Sequence, residues 1–195
     1  LRKETLADEQ ITSAVLKLMA SSNDEIRTYA TNYLDKTPND DLDISQLEPI
    51  VGNPEKGKKI YNSYCISCHV VGEKGIDFGP NLSDIGAKLS KNFMYSSIIY
   101  PSAGINFGYE GFTIKVKEDN TFTGYILSRT EDEITLKMMG DTQKVIALAD
   151  IEKIEAMKKS LMTEGLHKIM EKEDLIDLVE YLSTLQVEEN LIDQS

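Results

Sequence analysis

Cysteine is scarce in this chain, and so is positive charge. The 195 residues include only two cysteines, too few for a disulfide framework or a cysteine-rich metal site. Lys and Arg number 21 against 33 Asp and Glu, a formal net charge of −12. That balance argues against nucleic acid and against anionic membrane surfaces as partners. Histidine is equally rare, with two in the whole chain. No window approaches the ~20 apolar residues that a membrane span requires, and no hydrophobic leader follows Leu1. The hydrophobic content of 41% still suffices for a core, and the length suits one domain with an appendage or two small domains.

Both cysteines lie in one short run, Cys65-Ile66-Ser67-Cys68-His69. C-x-x-C-H is the attachment signature of a c-type haem. Two thiols at this spacing can each bond one vinyl group of the same porphyrin, and the His that follows then lies under the iron as its proximal ligand. Two other chemistries use similar residues. A dithiol redox pair places C-x-x-C after a strand, at the start of a helix. Here a helix runs into the motif instead, with Asn53 as its N-cap and Pro54 at its first position. A zinc site needs four ligands. Cys65, Cys68, His69 and His167 could be offered, but the adjacency of Cys68 and His69 suits tetrahedral geometry poorly. Haem c is attached outside the cytoplasm in bacteria, so the motif points to an exported protein, periplasmic or on the cell surface. The chain is then a processed form or a fragment of a longer protein. Its acidity would suit a basic redox partner, or simply keep an exported protein soluble.

Periodicity organises the rest. Residues 8–20 carry Ile11, Val15 and Leu18 at helical spacing. Ser22-Asn23-Asp24-Glu25 is a capping box that opens a second helix. The pair forms an αα-hairpin that resembles one unit of a HEAT-type repeat, either the last of a truncated array or a helical cap on the next domain. Residues 1–50 thus hold this hairpin and an Asp- and Pro-bearing connector. After the motif, residues 70–77 read as a glycine-bearing loop. A helix is expected from about Lys88 to Tyr100, with Phe93, Met94, Ile98 and Ile99 buried, stopped by Pro101. From Tyr109 the period becomes two. Four or five short strands across residues 109–155 predict a small antiparallel meander, curved as a half-barrel. A last helix from Lys172 to Leu185 presents Leu175, Leu178, Val179, Leu182 and Leu185 on one stripe. Gly57 and Tyr61 could cross it closely at Tyr181 and Leu182. Residues 188–195 form a polar tail.

A low-spin haem needs a second axial ligand opposite His69, usually a methionine. Met19 is too far upstream, Met138 and Met139 fall in the meander, and Met94 and Met170 sit in helical stripes. Met157 and Met162 lie in the loop after the meander, where the chain can reach back across a porphyrin face. Met162 is the preferred candidate. Met157, His167 and an open sixth site remain as alternatives. His69 also needs an acceptor for its other ring nitrogen. The carbonyl of Pro80 in Phe78-Gly79-Pro80 can supply it, unless that run is an ordinary turn.

Taken together, these residues resemble class I cytochrome c: C-x-x-C-H after a helix, then Gly79-Pro80-Asn81-Leu82, a Met-bearing loop and a C-terminal helix. Adding Ile98-Ile99-Tyr100-Pro101-Ser102-Ala103, Tyr109, Gly124, Ser160-Leu161-Met162 and Asp174 to Leu182, the likeness extends to the planctomycete and verrucomicrobial type of haem-binding domain over residues 52–186. Thr163 stands where that family tends to have Pro, and Tyr100 where it has an acidic residue. The resemblance implies a mainly α cytochrome c fold over residues 51–187 with an inserted β-meander, α+β overall. It implies one covalent haem c bound by Cys65, Cys68, His69, Pro80 and Met162, with His69 and Met162 on the iron. The expected role is single-electron transfer without bond chemistry, as acceptor module of a larger dehydrogenase or with a separate redox partner. A haem enzyme or gas sensor with an open sixth site, and an interaction scaffold with a structural haem, are the rival expectations.

Overall fold

The computed structural model describes residues 42–117 and 119–186. The expected helical hairpin at 8–36 and the polar tail at 188–195 lie outside these residues. Helices and strands occupy two adjoining parts, a helical layer and a β unit set into it.

The helical layer is built on two helices far apart in sequence. A short helix, α1 (Ile44–Leu47), comes first, capped by the Asp43 carboxylate. Helix α2 (Pro54–Tyr64) starts where its caps predict: Asn53 Oδ1 accepts from Lys56 N–H at 3.1 Å, and Pro54 takes the first helical position. It ends at Cys65. A small hairpin of β1 (Val70–Val71) and β2 (Lys74–Gly75) comes next, where a plain loop was expected; strands this short leave no readable period. Then come α3 (Ile85–Lys88) and α4 (Lys91–Ile99). The single helix expected from Lys88 is therefore two, because Leu89 and Ser90 are extended between them. Met94, Tyr95, Ile98 and Ile99 form the buried face of α4. Phe93, expected inside, is 63% exposed; at about 100° per residue it falls outside that face.

Helix α5 (Lys172–Thr184) closes the layer, with Leu175, Leu178, Val179 and Leu182 buried. Met170 lies just ahead of it, packed at the edge of the core rather than on a helical stripe. α2 and α5 cross at Gly57. A Cβ there would sit 1.9 Å from Asp177 O and 2.7 Å from Tyr181 Cβ, so only glycine permits this approach. One turn on, the Tyr61 and Tyr181 rings meet at 5.8 Å, tilted 53°. The same face of α5 caps α2: Gly52 N–H donates to Glu180 Oε2 at 3.0 Å and Asn53 N–H to Asp177 Oδ1 at 2.6 Å. Lys91 Nζ adds an ion pair to Glu180 at 2.6 Å. Burial pushes the Glu180 carboxyl up, but Lys91 and the Gly52 N–H outweigh it and hold it below the usual range.

The β unit contains β3 (Gly111–Val116), β4 (Thr121–Arg129), β5 (Glu133–Met138), β6 (Thr142–Ala147) and β7 (Ile151–Ala156), all antiparallel in the order β6-β5-β4-β3-β7. β6 and β7 are opposite edges, yet only the 3₁₀ turn Leu148–Asp150 joins them. Four residue steps reach at most about 14 Å, whereas five flat strands would set the edges about 19 Å apart. The sheet must therefore curl strongly, into a barrel-like unit whose edge strands β6 and β7 share no ladder. Register shifts at Lys115/Val116 and between Ile126 and Ser128 supply the bends. Ile114, Val116, Ile134, Leu136 and Ile146 fill its interior.

The barrel meets the helical layer through aromatic rings. Tyr125 on β4 packs on Phe78 at 5.6 Å and on Tyr109 at 5.0 Å. Burial, then the nearby Asp77, pushes the Tyr109 hydroxyl up.

Candidate functional site

Cys65 caps α2, its N–H donating to Tyr61 O at 2.8 Å. The chain then turns tightly: Cys68 and His69 both donate their N–H to Cys65 O, at 3.0 and 2.9 Å. Both thiols are free and half-buried. Burial, then neighbouring Cys68, pushes Cys65 up to about 12. A dithiol redox pair needs the opposite, a depressed thiol. Among the described residues, no group of three or more His, Cys, Asp or Glu is placed to hold a metal ion, so the four donors considered for zinc are not assembled. A thioether, by contrast, carries no charge and tolerates this burial.

The His69 ring is fixed on one side. Its Nδ1 lies 2.7 Å from Pro80 O. A carbonyl can only accept, so Nδ1 carries the proton and donates. Burial pulls the ring below the usual histidine range, and the Pro80 bond works weakly against it; the neutral ring then holds its lone pair on Nε2. Gly79 lies against this imidazole, and a Cβ there would come 2.7 Å from Cε1 and 2.9 Å from Nδ1. The segment is anchored from behind by Gly79 N–H to Cys68 O at 2.6 Å and Leu82 N–H to Val70 O at 2.9 Å. The backbone of His69 is gripped as well: Tyr61 Oη donates to its carbonyl at 2.7 Å. Tyr61 is pushed up to about 12, first by burial and then by Cys65 and Tyr181, so the hydroxyl keeps its proton.

The candidate second ligands part company. Met162 is half-buried and packs against the same helical core as Cys65, Ile66, Leu82 and Val71. Met157 lies over β3 instead: its N–H donates to Gly111 O at 2.8 Å, and its sulfur would be 2.8 Å from a Cβ on Gly111. Met138 packs on the barrel interior, and Met139 is 63% exposed. His167 is buried in the 3₁₀ turn Leu166–Lys168.

The cytochrome c family model matches residues 54–135. It begins at the first residue of α2, takes in Cys65, Cys68, His69 and Pro80, and stops within β5, so Met162 and α5 lie beyond it. The match supports a c-type cytochrome, an electron-transfer module whose cofactor is a covalently bound haem c with its iron. Two cysteines, a histidine with its lone pair on Nε2 and an apolar surround fit that group. No curated protein matches the chain. Among the described residues, no helix is long and apolar enough to cross a membrane.

Sequence reasoning passed over three groups here. Gly79 left a signal, since glycine before the carbonyl-bearing Pro80 suggests close backbone approach. The Tyr61 hydroxyl was assigned only to packing. Ser102 stood only among the residues that carry the family resemblance; its contacts left no signal, because its partners are 58 and 62 residues away.

Proposed function

We propose that this chain is an exported haem c domain, of the planctomycete and verrucomicrobial type, that passes single electrons as the acceptor module of a larger dehydrogenase. Cys65 and Cys68 would hold the haem by thioether bonds, and His69 Nε2 and the Met162 sulfur would be the protein's two donors to its iron. When bound, the haem supplies a one-electron couple, tuned by those ligands and by burial. The protein's own part is positional. Pro80 orients the imidazole and strengthens it as a donor, Gly79 and Tyr61 hold it in place, and the apolar residues around Cys65 and Met162 keep water back. The observation that carries the reading is the His69–Pro80 hydrogen bond at 2.7 Å beside two free thiols.

The test has two parts. Acid-acetone treatment of the purified holoprotein should leave the colour on the chain, and Cys65→Ala with Cys68→Ala should release it; extractable haem in the native protein would sink the reading. Met162→Ala should abolish the far-red sulfur-to-iron band of the oxidised form, open the site to carbon monoxide and lower the potential. Met157→Ala should change none of the three. His167, buried five residues after Met162, is the rival ligand: loss of the low-spin signature in His167→Ala alone would assign the iron to two histidines.

A further inference from the structure

The Met162 loop is gripped from across the barrel. Ser102 follows the buried Pro101, ahead of β3, while Ser160 and Glu164 come after β7. Ser102 Oγ accepts from Ser160 N–H at 3.0 Å and donates to Glu164 Oε1 at 2.8 Å. Ser160 Oγ in turn accepts from Met162 N–H at 3.1 Å. Lys159 Nζ donates to the second Glu164 oxygen at 2.7 Å. Met162 is thus bracketed by two residues that share one hydroxyl, and the whole barrel hangs between the ends that this hydroxyl joins.

From this geometry we infer that Ser102 is a positioning residue for Met162: its hydroxyl closes the neck of the barrel and sets the loop that presents the thioether. The inference rests on the reading of Met162 as the sixth ligand. A thioether binds iron weakly, so the loop's closed population decides how often the ligand is in place. Pro101 restricts the backbone beside Ser102, and Lys159 steadies the Glu164 carboxylate that accepts the Ser102 hydrogen bond. A loose loop would show as easier entry of an outside ligand, because apparent affinity scales with the competent fraction.

Imidazole titration of the oxidised holoprotein reads this fraction. Ser102→Ala should bind imidazole about tenfold more tightly, a change of about 1.4 kcal/mol in loop closure, with a weakened far-red band. Ser102→Thr, which restores the hydroxyl, should return the affinity to within about twofold of the parent. Glu164→Ala, at an exposed position, should raise it about threefold. A fall in urea midpoint with unchanged imidazole affinity in both alanine variants means that Ser102 only stabilises the fold, and overturns the inference. If Ser102→Ala does not fold, unchanged affinity in Glu164→Ala overturns it alone. Met162→Ala separates the two claims. If it loses the band while Ser102→Ala does not alter affinity, the ligand stands and the clasp falls. If Met162→Ala itself keeps the band, both fall.

Discussion

Replacing Gly79 by Ala adds one methyl group at the tightest point of the site. The new Cβ would stand 2.7 Å from His69 Cε1 and 2.9 Å from Nδ1. Ordinary contact begins at 3.4 Å, so something must move by about 0.7 Å. The backbone cannot retreat cheaply, because Gly79 N–H is bonded to Cys68 O at 2.6 Å and Pro80 follows directly. The imidazole therefore yields, and Nδ1 leaves its 2.7 Å contact with Pro80 O. We expect a loss of about 1 kcal/mol for that hydrogen bond and about 1–3 kcal/mol for overpacking. Urea unfolding of the holoprotein, followed by far-ultraviolet circular dichroism, measures the sum. The potential gives an independent reading. A ring that no longer donates to Pro80 is a poorer electron donor to the iron, so the potential should rise. Pro80→Ala keeps the carbonyl and adds nothing near the ring, and should cost far less. A Gly79→Ala protein with unchanged midpoint and potential would refute the argument that the backbone clamps this histidine.

Gly57→Ala should destabilise by at least about 2 kcal/mol net of its better helix propensity, because the nearest atom to the new Cβ is the Asp177 carbonyl of the opposing backbone at 1.9 Å; a stabilised variant in the same urea assay would contradict the crossing. Glu180 has a lowered folded value, so its contribution is fully present above its ordinary value of 4.5 and is lost as pH falls through the folded value. Glu180→Gln should therefore cost about 1–2 kcal/mol at pH 7 and flatten the acid limb of stability; an unchanged limb would assign the acid sensitivity elsewhere. Tyr125→Ala removes the ring between Phe78 and Tyr109 and should lower the transitions seen by haem absorbance and by circular dichroism together. A haem transition that stays put while the other moves would show that the barrel and the helical layer unfold independently.

What could be read before the structure was local chemistry. Asn53-Pro54 announced the start of α2 because caps act within one turn, and the stripe of α5 was visible because a helix repeats its buried face. The contact between His69 and Pro80 was legible because a proline-held carbonyl close in sequence has few other places to be. Phe93 misled because an apolar residue beside a buried run looks buried, although at about 100° per residue it falls outside the face shared by Met94, Tyr95, Ile98 and Ile99. The barrel's strands were legible by their alternation, but the place of β7 in the sheet was not, since its pairing with β3 depends on contacts that no period records. Met162 was preferred to Met157 on sequence because a turn and helix start follow it; what sequence could not show is the bond from Met157 N–H to Gly111 O that draws Met157 toward the barrel.

The bonds from α5 to the front of α2 close a ring of chain: Gly52 and Glu180 are 128 positions apart. The entropy of closing such a ring grows only with the logarithm of its length, about 0.6 kcal/mol for each doubling. The number of residues between the two helices is thus nearly free of thermodynamic constraint, and a whole barrel fits there at small cost. What is not free is the place where the ring shuts. Gly57 sets the spacing, and Asp177 and Glu180 supply the latch. Segments added to or removed from the middle of this domain should be tolerated in proportion to how little they disturb that junction.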